Sequence, residues 1–195
     1  AGGAAAYIRL MGAIDRERGV IMSEERQSDS PERRAFNDRW KRTYAGHRAG
    51  ERLPIDYVIT MDDVTQTLRR QGIREPGEGD AVMFRTGHGK LWKKDNAEYN
   101  KGCPGPGLTV GRWLAGRKIA VVGADNWPVE AVPGENPDLV FGCHGIWITM
   151  NGIFINENLD LEELAKDRAY EFAWSFNPLP LKGGTGSPGN SVAIA

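Results

Sequence analysis

No apolar run in the sequence approaches the length needed to cross a bilayer, so a soluble chain with no membrane role is expected. Cysteine is scarce: Cys103 and Cys143 make no disulfide framework, and reduced thiols in a cytoplasmic protein are the simple expectation. Neither sign of charge dominates, with 25 basic against 26 acidic residues, which gives no pointer to nucleic acid. No phosphate-cradling G-x-x-x-x-G-K-[ST] and no G-x-G-x-x-G after a strand occurs, which disfavours a nucleotide domain. Histidine is also rare, at three residues: His47, His88 and His144. The first residue is Ala1, and AGGAAAYIRLMGAI lacks the charged start of a secretory signal. The chain is therefore read as processed, truncated or one piece of a larger assembly.

Glycine and proline are plentiful, at 25 and 11, and cluster late, which implies many tight turns. At 195 residues the chain suits one domain with an added arm: residues 1–50, then a domain over 51–195. In the arm, Ala4 to Arg18 has a helical stripe, Gly19 to Met22 is strand-like, and Ser23 to Gly50 is mostly charged. Ser30-Pro31 starts a helix with Phe36, Trp40 and Tyr44 on one face, a seam that needs a partner to cover it. Its interleaved acidic residues favour a solvated face over RNA binding, and His47 is read as exposed.

From Leu53 the pattern is regular. Ile55 to Thr60 reads as a strand, and Thr60 with Asp63 caps a helix whose inner face is Val64, Leu68 and Ile73. Ala81 to Arg85 is a buried strand ending in Thr86-Gly87-His88-Gly89, where backbone can approach a ligand. Leu108 to Arg117 is a helix, and Ile119 to Val122 is a second buried strand. It ends at Asp125-Asn126-Trp127. Ligands gather at such strand ends in α/β folds, so Asp125 and Trp127 are candidate pocket residues. Asp160 to Asp167 reads as a short helix, and Tyr170 to Phe176 and Ser191 to Ile194 as strands.

The chain is organised around Phe141 to Leu164. Ile146 to Ile155 is rich in β-branched and aromatic residues and is broken by Asn151-Gly152, a pattern that predicts a hairpin. His144 and Glu157 flank it, a histidine and a carboxylate at the rim of an apolar sheet. Such a pair suits a metal or acid–base site, although a lone histidine beside an apolar run is more often structural.

Four collinear segments carry a family resemblance: FRTGHGKLW (84–92), GLTVGRWLAGRKIAVVGADNWPVEAVP (107–133), the central stretch, and YEFAWSFNPLPLKGGTGSPGNSVAIA (170–195). From Pro54 onward the sequence resembles the metal-dependent cyclase family, which includes bacterial kynurenine formamidase and isatin hydrolase. The resemblance implies an α/β fold, a mixed sheet curled into a partly closed β-barrel with outer helices, the swivelling β/β/α type. It implies hydrolysis of an amide, lactam or lactone bond with a bound divalent metal, zinc or manganese. On that resemblance His144 and Glu157 are the catalytic and metal-binding candidates. Asp125, Trp127 and His88 are the substrate-binding candidates, and a flat, aromatic small molecule is the substrate class.

The family's H-x-G-T-H-x-D motif is absent from this sequence. A catalytic zinc takes three protein ligands, and His144 with Glu157 supplies two. Three explanations fit: a homo- or hetero-oligomer in which a second chain brings that motif, a fragment of a longer enzyme, or a non-catalytic cyclase-fold subunit acting as a scaffold. In the first, the Ser23–Gly50 segment is the docking element.

Overall fold

The structure, a computed structural model, describes residues 18–22 (as backbone), 52–136 and 138–195. In chain order the elements are β1 (Arg18–Met22), β2 (Val58–Ile59), α1 (Met61–Gln71), β3 (Ala81–Phe84), a 3-10 turn (His88–Leu91), α2 (Asn96–Tyr99), β4 (Gly105–Pro106) and α3 (Leu108–Gly116). They continue with β5 (Val121–Ala124), α4 (Gly142–His144) running into a π-helical turn (Gly145–Met150), β6 (Phe154–Asn156), α5 (Glu162–Asp167), β7 (Glu171–Pro178) and β8 (Gly189–Ile194). The expected strand at 19–22 is β1. The expected helix over Ala4 to Arg18, the Phe36/Trp40/Tyr44 seam and His47 lie outside the described residues. Among those described, no helix is long and apolar enough to cross a membrane.

Local chemistry explains most of the frame. Thr60 and Asp63 form the predicted reciprocal cap: Thr60 N–H donates to Asp63 Oδ2 at 2.8 Å, and Asp63 N–H to Thr60 Oγ1 at 3.3 Å. Helix α1 stops at Gly72, whose φ of 69° is left-handed. The main sheet runs β6-β5-β3-β1-β7-β8. Its β6-β5-β3-β1 part is parallel, and β7 and β8 add antiparallel pairs. Strand β3 is buried along its whole length because both faces are covered. Val82, Phe84, Val122 and Ala124 face a core with Val64 and Leu68 of α1, Leu114 of α3 and Trp147. Ala81 and Met83 face a second core with Leu161, Phe172 and Trp174. That division is the two-residue alternation of a pleated strand.

The expected mixed α/β architecture is therefore present. Among the described strands no backbone ladder joins the two edges, β6 and β8, so no closed barrel forms. Asn156 Nδ2 of β6 nevertheless donates to Ser191 Oγ of β8 at 2.8 Å. The sheet is bent far enough for its edges to meet through side chains.

The predicted hairpin across Asn151-Gly152 is not found, because residues 142–150 are helical. Ile146 and Trp147 are apolar because that helix packs on α3, not because they line a strand. Trp147 Nε1 donates to the Gly111 carbonyl at 3.1 Å. A Cβ at Gly111 would lie 2.8 Å from Cys143 Sγ, so glycine permits the close approach. Gly152, with φ of 65°, ends the helix: its N–H bonds the Ile148 carbonyl, and Ile153 N–H bonds that of Trp147. The Asn-Gly signal marks a helix end, and only Phe154–Asn156 forms the following strand.

Trp147→Ala is expected to cost about 3–5 kcal/mol, since it empties the contact between α3 and the π-helical turn. Urea unfolding checks this. A loss below about 1 kcal/mol would show that Trp147 does not hold the two helices together.

Candidate functional site

Strands β1, β3, β5 and β6 run parallel, so their carboxyl ends share one side of the sheet. Three loops leave from there: Thr86–Gly89 after β3, Asp125–Glu130 after β5, and Glu157–Asn158 after β6. The predicted candidates all lie on these loops or on the helix beside them.

Glu130 occupies the centre. It is buried, 5 % exposed, and its carboxylate accepts three N–H donors from the start of the 142–150 helix. Cys143 N–H reaches Oε2 at 2.9 Å, His144 N–H reaches Oε1 at 2.9 Å, and His144 Nδ1 reaches Oε1 at 2.6 Å. Helix starts leave such donors without intrahelical partners. A carboxylate only accepts when ionised, so Nδ1 of His144 carries the proton. The other ring nitrogen, Nε2, faces Glu157 Oε1 at 3.6 Å. His144 and Glu157 thus come together as expected, although by a helix and a short strand rather than by a hairpin.

Burial pulls the His144 pKa down, but the hydrogen bonds to Glu130 and Glu157 outweigh it and push it up to about 9 from an ordinary 6.5. The imidazole is therefore cationic at neutral pH, between two carboxylates. Phe141 packs against its ring at 5.1 Å, and Trp127 meets Phe141 edge-on at 6.3 Å, so Trp127 reaches the site's aromatic wall through Phe141. A small, shallow open pocket is lined by Glu130 together with Leu108, Glu135, Leu139 and Cys143. Neither His144 nor Glu157 lines it.

Asp125 and His88 are each held by bonds within the fold. Asp125 is buried, and its carboxylate accepts Thr86 N–H at 2.8 Å, Thr86 Oγ1 at 2.7 Å and Gly87 N–H at 2.7 Å. It closes the loop after β3. His88 is fully buried and stacks on Tyr99 at 4.8 Å. Its Nε2 donates to the Tyr99 carbonyl at 3.1 Å, which makes it the Nε2–H tautomer. Desolvation by burial lowers its pKa, and the ring sits inside the fold.

Glu130 is the residue of this candidate site that the sequence did not single out. It reads as one acid in an irregular, proline-bounded loop. Its contact with His144 is made only when β5 and the 142–150 helix pack together.

Among the described residues no group of three or more His, Cys, Asp or Glu side chains is placed to hold a metal ion. His144 Nε2 and Glu157 Oε1 have suitable donor chemistry, but two donors do not complete a catalytic metal centre. The described residues alone therefore do not fit the whole metal site that the family resemblance implies.

A family model, Cyclase, described as "Putative cyclase", matches residues 45–131. Comparison with curated proteins finds no match. Among solved structures, a novel cyclase is similar with a TM-score of 0.68 and 29 % identity, over 91 % of this chain and 53 % of that one. An isatin hydrolase bound to the product analogue thioisatinate is similar with a TM-score of 0.65 and 20 % identity, over 93 % and 62 % of the two chains. Isatin hydrolase A from Labrenzia aggregata gives 0.59 and 21 %, over 91 % and 60 %. The chain thus spans between 53 % and 62 % of the length of these three structures. Residues 45–131 carry the Cyclase family's sequence pattern, and the chain around them has the fold of the cyclase and isatin hydrolase structures.

Proposed function

We propose that Glu130, His144 and Glu157 are this chain's share of a hydrolytic site that opens an amide, lactam or lactone bond in a small, flat substrate. The observation that carries this reading is the two-sided hold on His144. Glu130 occupies Nδ1 at 2.6 Å, and Nε2 is left facing Glu157 at 3.6 Å. A histidine fixed in this way has one working nitrogen. In its charged form Nε2 can give a proton to a departing amine or alkoxide, and the Glu157 carboxylate can take one from the attacking water. Glu130 stabilises the cation and holds the ring plane without meeting substrate. The Phe141 and Trp127 rings form an apolar wall suited to a flat molecule. Isatin hydrolases of the same fold support a hydrolytic reading.

Metal binding is the alternative use of the same pair: in the complete assembly a deprotonated His144 Nε2 and Glu157 would be two of the ligands of a zinc or manganese ion. That ion would supply Lewis-acid polarisation of the carbonyl and a more acidic water. The remaining ligands would come from a partner chain, or from further sequence of the same protein, bearing H-x-G-T-H-x-D. Val140, Met150 and Phe154 lie exposed on and around the 142–150 helix. This apolar surface supports an assembly over a lone chain.

In the complete assembly, His144→Ala and Glu157→Gln are each expected to lower hydrolysis of an amide and lactam panel by about 10²-fold or more, with folding intact. Full activity in either variant would sink the hydrolytic reading, as would an assembly that binds neither zinc nor manganese.

A second expectation concerns Glu130. In the metal-free chain the His144 ring should titrate near 9 by NMR, and lower in Glu130→Gln. Because the folded pKa is raised, the associated stability is complete below the ordinary 6.5 and is lost as pH climbs through about 9. Urea unfolding should therefore separate wild type from Glu130→Gln more widely at about pH 6 than at about pH 10.

A further inference from the structure

We propose that Tyr99 is a positioning residue for Glu157, acting through Asn158; this rests on the hydrolytic reading above. Helix α2 ends at Tyr99, which is 2 % exposed. From there its atoms reach all three loops at the carboxyl side of the sheet. Its carbonyl accepts His88 Nε2 at 3.1 Å and Trp127 Nε1 at 3.3 Å. Its hydroxyl donates to Asn158 Oδ1, the residue directly after Glu157. Asn158 has a φ of 57°, a left-handed conformation that asparagine tolerates when its side chain is held.

The backbone completes the clamp. Asn158 N–H donates to the Asn126 carbonyl at 2.9 Å. Asn126 is itself fully buried, and its Oδ1 accepts Val129 N–H at 2.8 Å, one residue before Glu130. The turn carrying Glu157 and the turn carrying Glu130 are thus tied to the same asparagine. Tyr99 holds the Glu157 side of that tie from outside the strand. Where Glu157 Oε1 stands relative to His144 Nε2 depends on the left-handed turn that follows it. Burial keeps the Tyr99 hydroxyl protonated well above its ordinary range, with Cys103, Asp125 and Glu157 adding to the effect, so it remains a donor at any working pH.

Tyr99→Phe keeps the ring that stacks on His88 and removes only the hydroxyl. In the complete assembly it is expected to lower kcat about tenfold and to leave KM within about twofold. Asn158→Gly supplies the left-handed turn without a side chain to hold. In that background, adding Tyr99→Phe should change kcat by less than about twofold. In the chain itself, Tyr99→Phe should speed amide exchange at Asn158 about tenfold, while the amides of β5 stay as in wild type. Unchanged exchange at Asn158, or equal kcat losses from Tyr99→Phe in both backgrounds, would overturn the proposal. A wild-type assembly without hydrolytic activity would instead overturn the reading of the site. The exchange result would then still decide whether Tyr99 sets the Glu157 turn.

Discussion

A carboxylate taken out of water must find donors, and Glu130 finds three from one helix start. Much of the region follows from that requirement. The N–H groups of Cys143 and His144 would otherwise be left without partners at the beginning of the 142–150 helix. The acid satisfies both and takes the His144 ring nitrogen as well. In return the helix start is pinned to the loop after β5, and the ring can turn only by giving up a 2.6 Å contact. An alanine at Glu130 would strand these donors inside the fold, a larger loss than the hydrogen bonds themselves represent.

The loops that bear on this centre are held by backbone at several points. Gly105 approaches Val129 so closely that a Cβ there would lie 2.2 Å from its carbonyl oxygen. The neighbouring Cys103 exchanges N–H and C=O bonds with Val132 at 2.7 and 2.8 Å. Asn126 Nδ2 donates to the Pro104 carbonyl at 2.6 Å. Residues 125–132 form an irregular segment fastened at both ends, with its polar groups turned inward. That is how a loop without regular structure can present Glu130 to one particular ring.

Much of the frame could be read from the sequence because its signals are local. The Thr60–Asp63 cap, the AVMF strand and the Leu108 helix each depend on residues within a few positions of one another. The stretch 146–155 could not be read in that way. A short apolar run with isoleucine and tryptophan suits a buried helix as well as a strand, and Asn-Gly suits a helix end as well as a hairpin. Packing on Gly111 decided the matter, and Gly111 is 35 positions before Ile146 in a different helix. Glu130 was hidden for the same reason. His144 and Glu157 are candidates by chemistry and resemblance, and they converge even though a helix, not the expected hairpin, lies between them. Their meeting depends on where β6 lies beside β5, whichever conformation the chain takes in between.

The two carboxylates around His144 differ in one physical respect. Glu130 is shielded on the Nδ1 side, its side chain 6 % exposed, whereas the Glu157 side chain on the Nε2 side is 37 % exposed. The inner contact therefore acts in a medium that strengthens it and keeps it fixed, while water weakens and loosens the outer one. The ring is anchored from within and turned toward solvent. Any group that joins the site must arrive on the Nε2 side, because the Nδ1 side is filled by the protein itself. A pair so open, with two donors among the described residues, is a poor metal trap by itself.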